Sequence, residues 1–199
     1  ESCFRVKADR YLIFGIAGLR AVAVGLSGII FALHLSTLGL NAGWIGLAVS
    51  LGLGGCAVAT FAATFVADHL GRRATLFFLS LLMLLGGISL SFVTHPSVFL
   101  VSVFLGMVNG MGRDRGAGLT IEQAILPKTT TERERTKVFA WYNVVVDAGH
   151  AVGALLGGLP AFLRARGLTT LLSYQWSWGL YALLCWGAAI LVFGLSKSV

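Results

Sequence analysis

The sequence has 199 residues, of which 57% are hydrophobic and only 12% charged, and its mean hydropathy is +0.86. A soluble fold of this length has no core large enough to hide so much apolar side chain, so lipid must solvate it. The formal net charge of +7 comes from basic residues set in short segments between apolar runs, which encodes membrane topology and argues against nucleic-acid binding.

At roughly 20 apolar residues per helical crossing, the chain divides into six expected spans, about 11–38, 43–66, 74–94, 97–126, 138–162 and 168–195. The expected fold is an all-α membrane protein whose single domain is the six-helix bundle over 1–199. The first span carries Arg20, Ser27 and His34 at seven-residue intervals, which puts them on one face. No Asp, Glu, Lys or Arg occurs between Arg20 and Asp68, too long a stretch for one crossing, and Gly39-Leu40-Asn41-Ala42-Gly43 is where it turns. Cys3, Cys56 and Cys185 are widely spaced and form no metal or redox pattern; neither a metal nor a cofactor is expected.

Between the second and third spans stands Ala67-Asp68-His69-Leu70-Gly71-Arg72-Arg73. Gly71 permits a tight turn, Asp68 can accept hydrogen bonds from the start of a neighbouring helix, and the arginines hold the loop on the cytoplasmic side. This string resembles the loop signature G-x-x-x-D-(R/K)-x-G-(R/K)-(R/K) of the major facilitator superfamily. Asp68, Gly71, Arg72 and Arg73 match it, while Thr64 replaces the first glycine and His69 a basic residue.

The fourth span contains Arg113, Asp114, Arg115 and Glu122, and Arg115 and Glu122 share a face. The polar stretch from Pro127 to Thr136 is the one sizeable loop. The fifth span presents Asn143, Asp147 and His150 on one face. It also holds Gly149, Gly153, Gly157 and Gly158, similar to the superfamily's antiporter-associated pattern G-x-x-x-G-P-x-x-G-G with Ala154 in place of proline. Small residues at this spacing equally serve close helix packing. Tyr174, Trp176 and Trp178 at the start of the sixth span read as an interfacial aromatic belt.

Arg5, Lys7, Arg10, Arg72, Arg73, Lys128, Arg133, Arg135, Lys137 and Lys197 fall on one side of this topology, against Arg164 and Arg166 on the other, so both termini are expected in the cytoplasm. The plasma membrane or a bacterial inner membrane is the expected location. An intramembrane charge costs about 2.5–3.5 kcal/mol on insertion scales, so Arg20, Arg113, Arg115, Asp114, Glu122 and Asp147 must be paired or wetted. Arg20 can reach Glu122, though not at the same depth, and Asp147 is expected to pair with Arg113 and Arg115 nearer the midplane. Together with Asn143 and His150, these residues are the candidate substrate or proton pathway, with His150 and Asp147 foremost for proton coupling.

The resemblance implies the amino-terminal six-helix half of a secondary transporter, working by alternating access on a small solute, with exchange against protons implied by the span-five pattern. The chain starts at Glu1 and ends directly after an apolar run, so the carboxy-terminal half is expected either in further sequence or in a second copy. The expected partners are the lipid bilayer, the solute and that half, with no nucleic acid. Two rival readings belong to other classes. Gly25-Leu26-Ser27-Gly28 matches the G-x-S-G string of a rhomboid-type serine hydrolase, with His34 or His150 as the base, and a non-transporting receptor or assembly protein could retain the same fold. Serine-directed probe labelling separates the hydrolase and flux in proteoliposomes separates the receptor; no enzyme activity is expected.

Overall fold

The computed structural model describes residues 2–93, 95–114 and 116–196, with side chains from residue 8 onward. The helices are α1 (Ser2–Thr37), α2 (Ala42–Leu70), α3 (Arg72–Phe92), α4 (Pro96–Leu105), α5 (Ala117–Ile125), α6 (Arg135–Leu156), α7 (Leu159–Ala165) and α8 (Thr170–Phe193). Two 3-10 turns, Leu126–Thr129 and Glu132–Glu134, join α5 to α6. Among the described residues, five helical stretches are long and apolar enough to cross a membrane: Ala8–Thr37, Ala42–Leu70, Arg72–Phe92, Glu132–Ala165 and Thr170–Phe193.

The turns form where the local chemistry asks for them. Gly39 and Gly71 both take positive φ, and Gly71 alone separates α2 from α3. Asn41 caps α2 by accepting from the Trp44 N–H at 3.1 Å, and Thr169 caps α8 by accepting from the Leu172 N–H at 3.3 Å. Large apolar side chains point outward, including Phe61 and Phe65 on α2, Phe78 and Leu85 on α3, and Trp186 and Phe193 on α8. Arg20, Ser27, His34, Asn109 and Glu122 are buried inside. This distribution is the one that lipid selects.

The segment expected as one continuous fourth span is broken. Helix α4 stops at Leu105 and α5 starts at Ala117. Between them lie Gly106, Gly110, Gly112 and Gly116 together with Asn109, a composition that gives up about 1 kcal/mol of helix propensity at each glycine. The unwound chain packs backbone against backbone: a Cβ on Gly28 would lie 2.3 Å from Gly112 Cα, and one on Gly52 would lie 2.2 Å from the Val108 carbonyl oxygen. Its polar groups find partners. Ser27 Oγ donates to the Asn109 carbonyl at 2.9 Å, Asn109 Nδ2 donates to the Arg113 carbonyl, and the Met111 N–H donates to Asn109 Oδ1 at 2.8 Å. Irregular backbone at membrane depth requires this degree of satisfaction.

Helix α1 runs between α6 and α8, and α3 lies along α8. Close approach of α1 and α6 depends on glycines from both. A Cβ on Gly25 would sit 2.4 Å from the His150 carbonyl oxygen, one on Gly153 would sit 2.1 Å from the Val22 carbonyl oxygen, and those on Gly149 and Gly157 would meet Ala21 at 2.8 Å and Ile29 at 2.5 Å. Gly158 meets nothing closer than 3.4 Å and is exposed. The aromatic belt expected at the start of the last span is corrected. Tyr174 and Trp178 turn inward onto His34, Tyr174 stacking on the imidazole at 4.9 Å and the Trp178 indole N–H donating to His34 Nδ1 at 3.0 Å, and only Trp176 stays exposed.

Candidate functional site

The site begins with Arg20, midway along α1 and only 5% exposed. Its Nη2 donates to Glu122 Oε2 at 2.9 Å, Nη1 donates to Glu122 Oε1, and Nε donates to Asp114 Oδ2. A planar fork that meets one carboxylate with two parallel bonds and a second with its inner nitrogen fixes all three side chains. Glu122, on α5, is fully buried and accepts a third hydrogen bond, from Tyr142 Oη of α6 at 2.7 Å. Asp114 closes the unwound segment, where its Oδ1 accepts from the Gly116 N–H at 2.9 Å. The Asp114 N–H donates to His150 Nε2 at 3.2 Å, so that nitrogen is unprotonated here.

Three helices and the break in the fourth segment therefore meet at one network. The approach is tight: a Cβ on Gly118 would fall 2.8 Å from Arg20 Nη1, so the absence of a side chain there lets the guanidinium lie against α5. A cavity of about 20 Å³, room for roughly one water, borders Arg20, Asp114, Asn109 and Gly118 on its polar side and Cys56, Met83 and Met107 on its soft apolar side.

Arg20 and Glu122 meet directly because the helix ends from which their depths are counted do not lie level. Arg10 Nη2 donates to the Thr129 carbonyl at 2.7 Å, which sets those two residues level. Arg20 then lies about 15 Å inward along α1, and Glu122 about 12 Å inward once the 3-10 turn is counted. The arginine side chain spans the difference.

Other expected members are elsewhere. The deeper pairing of Asp147 with Arg113 does not form, and Arg115 lies outside the described residues: Arg20 carries both ion pairs among the described residues. Asp147 and Asn143 are exposed on one flank of α6, Arg113 is exposed on the unwound segment, and His150 is half-buried between that flank and Asp114. Two residues of the network were not singled out from the sequence. Tyr142 shares the inward face of Val146 and Gly149 at four- and seven-residue spacing, a signal that periodicity offers. Asn109 had no such signal, since its role follows from the break.

The loop after α2 acts on helix ends. Arg72 Nη1 donates to the Ala124 carbonyl at the end of α5 at 2.8 Å, while Arg73 donates to the Val192 carbonyl at 3.2 Å and the Phe193 carbonyl at 2.6 Å, at the end of α8. Both arginines thus cap a carboxyl terminus, where carbonyls and dipole favour cations. Asp68 is exposed and forms no hydrogen bond among the described residues, which corrects the acceptor role expected of it. Ser27 spends its hydroxyl on the Val24 and Asn109 carbonyls, and neither His34 nor His150 bonds to it, so it has no base.

Comparison with known proteins agrees with this architecture. The family model for the Major Facilitator Superfamily matches residues 13–198. The chain is 28% identical over 193 residues to an uncharacterized membrane protein, YJR124C, of Saccharomyces cerevisiae, covering 96% of this chain and 43% of that protein. It is 33% identical over 100 residues to an uncharacterized MFS-type transporter, YhjO, of Bacillus subtilis, covering 50% of this chain and 24% of that one. The structure is similar to that of the proton:xylose symporter XylE bound to 6-bromo-6-deoxy-D-glucose, with a TM-score of 0.71 at 16% identity over 94% of this chain and 44% of that one. The chain thus spans less than half the length of these relatives. It is a member of the major facilitator superfamily.

Proposed function

We propose that this chain is the amino-terminal half of a secondary transporter that moves a small solute by alternating access, in exchange for protons. The observation that carries the reading is the buried network of Arg20, Asp114, Glu122 and Tyr142, which joins α1, α5 and α6 at a break in the fourth crossing. Discontinuous helices in transporters mark ion and substrate sites, because freed backbone and side chains line a cavity there. Here α4, the unwound segment and α5 together make the fourth of six crossings.

Among the described residues the network sets two carboxylates against one guanidinium. A proton is the smallest charge that restores balance, and His150 next to Asp114 offers a second place for it. Asp147, Asn143 and Arg113 lie exposed beside this network, on the face that a carboxy-terminal six-helix half would cover. Arg72 and Arg73, tied to the ends of α5 and α8, and Gly71 in the turn before them fit a conformational role at the membrane surface better than solute contact.

The test uses the full-length protein in proteoliposomes loaded with a pH-sensitive dye and challenged with a panel of sugars, organic cations and organic anions. The expected result is solute entry with proton exit, and in Glu122→Gln solute exchange without proton movement. Equal proton coupling in wild type and Glu122→Gln would remove Glu122 from the coupling role, and proton entry with solute would replace exchange by symport.

A further inference from the structure

We propose that the groove between the basic ends of α1 and α6 binds an anionic glycerophospholipid. The groove has a volume of about 380 Å³ and is lined by Arg10, Tyr11 and Phe14 from α1 and by Lys137, Trp141 and Val145 from α6, with Glu134 at its rim. Such a volume accommodates a small-molecule headgroup with the first part of its chains.

The lining is ordered along the helix axes as a phospholipid is ordered. On α6 the sequence is cation, amphipathic ring, apolar floor at four-residue steps, Lys137, Trp141, Val145; on α1 it is Arg10 and Tyr11, then Phe14 a turn deeper. Tyr11 is 72% exposed and Trp141 56% exposed, as expected of rings that sit at the glycerol level. Lys137 is exposed and has no hydrogen-bond partner among the described residues, while Arg10 is held in place by its two bonds to the Thr129 carbonyl.

The groove also faces the right medium. The polar flank of α6 bears Asn143, Asp147 and His150; Trp141, Val152 and Leu155 emerge on the other flank, all apolar and exposed. Lys128, Arg133 and Arg135 add positive field around the same end of the bundle. Charge complementarity therefore selects an anionic headgroup, and the apolar floor selects a lipid over free phosphate. This inference rests on the chain spanning a membrane and is independent of any transport activity.

The test is native mass spectrometry of the full-length protein released from detergent, titrated with phosphatidylglycerol or phosphatidylcholine. Wild type should retain phosphatidylglycerol preferentially. Lys137→Glu, at an exposed position that leaves packing untouched, should weaken that retention by roughly five-fold or more, the effect of one basic residue at a membrane surface. Trp141→Ala should weaken retention of both lipids, and Lys128→Glu, outside the groove and adding only to the surrounding field, should weaken phosphatidylglycerol retention less than Lys137→Glu does. Equal retention of the two lipids by wild type, an equal loss in Lys128→Glu and Lys137→Glu, or displacement of the lipid by millimolar inorganic phosphate would each overturn the proposal.

Discussion

Gly153→Ala tests whether the seam between α1 and α6 holds the ionic network together. A Cβ there would stand 2.1 Å from the Val22 carbonyl oxygen, 2.8 Å from the Leu26 nitrogen and 2.9 Å from Gly25 Cα, all backbone atoms that cannot rotate away. Ordinary contact begins at 3.4 Å, so the helices must part by about 1.3 Å. Tyr142 and His150 ride on α6, at 2.7 Å from Glu122 Oε2 and 3.2 Å from the Asp114 nitrogen, and the same displacement takes both bonds out of range. Overpacking costs about 1–3 kcal/mol and a lost hydrogen bond to a charged group about 1.5–3 kcal/mol, so the variant should lose about 3–6 kcal/mol and melt about 10–20 °C lower. Cys56 and Cys185 are buried free thiols, so a thiol-reactive fluorogenic dye reads the transition in detergent. Gly158→Ala is the matched control from the same glycine cluster: its Cβ would meet only the Leu155 carbonyl oxygen, at 3.4 Å, and should leave the melting point within a degree or two. Melting points that agree to within 2 °C for the two variants would refute the reasoning.

Gly71→Ala places a side chain at φ +85°, at a cost of about 1–2 kcal/mol, and should lower the same transition by about 2–8 °C even though nothing crowds the site. Arg73→Ala removes the donors to the Val192 and Phe193 carbonyls; at about 1.5–3 kcal/mol for a hydrogen bond to a charged group, amide exchange over residues 190–195 should quicken by about ten-fold or more, and unchanged exchange would show that the cap carries no energy. Single cysteines at Ala42 and His69, which lie at opposite ends of α2, should react with a membrane-impermeant maleimide from opposite sides, and labelling of both from one side would overturn the topology.

Much of this arrangement could be read from residue patterns. Seven-residue spacing put Arg20, Ser27 and His34 on one face, and all three are buried. Gly71 announced its turn through the chemistry of glycine, and charge cost required that some carboxylate meet an arginine. The misread fourth span has its own cause: hydropathy measures how apolar a window is and not whether its backbone stays helical. The run from Pro96 to Leu126 is apolar enough for one helix, yet glycines unwind it between Leu105 and Ala117, and Asp114 meets Arg20 from the end of that unwound stretch. Asp147 was assigned to the interior because it shares a face with His150. On α6, however, that face turns away from α1, and the inward positions belong to Tyr142, Gly149 and Gly153. Which side of an amphipathic helix meets its neighbours depends on the glycines that let backbones touch, and that is a tertiary fact.

The joints made by Arg72 and Arg73 end on main-chain carbonyls. At Ala124, Val192 and Phe193 the accepting atom itself does not depend on the side chain, because every amino acid brings the same oxygen, even though Val192 is held by its burial and Phe193 packs on Phe77. Each arginine meets only main-chain oxygen in these bonds, so no side chain at the acceptor positions can be changed to compensate for its loss. Suppressor screens starting from a damaged Arg73 will not return changes at 192 or 193, and correlated substitution across relatives will carry no trace of the contact. In each tie that binds this end of the bundle the accepting atom is common to all residues, so only the arginine side can evolve as a switch.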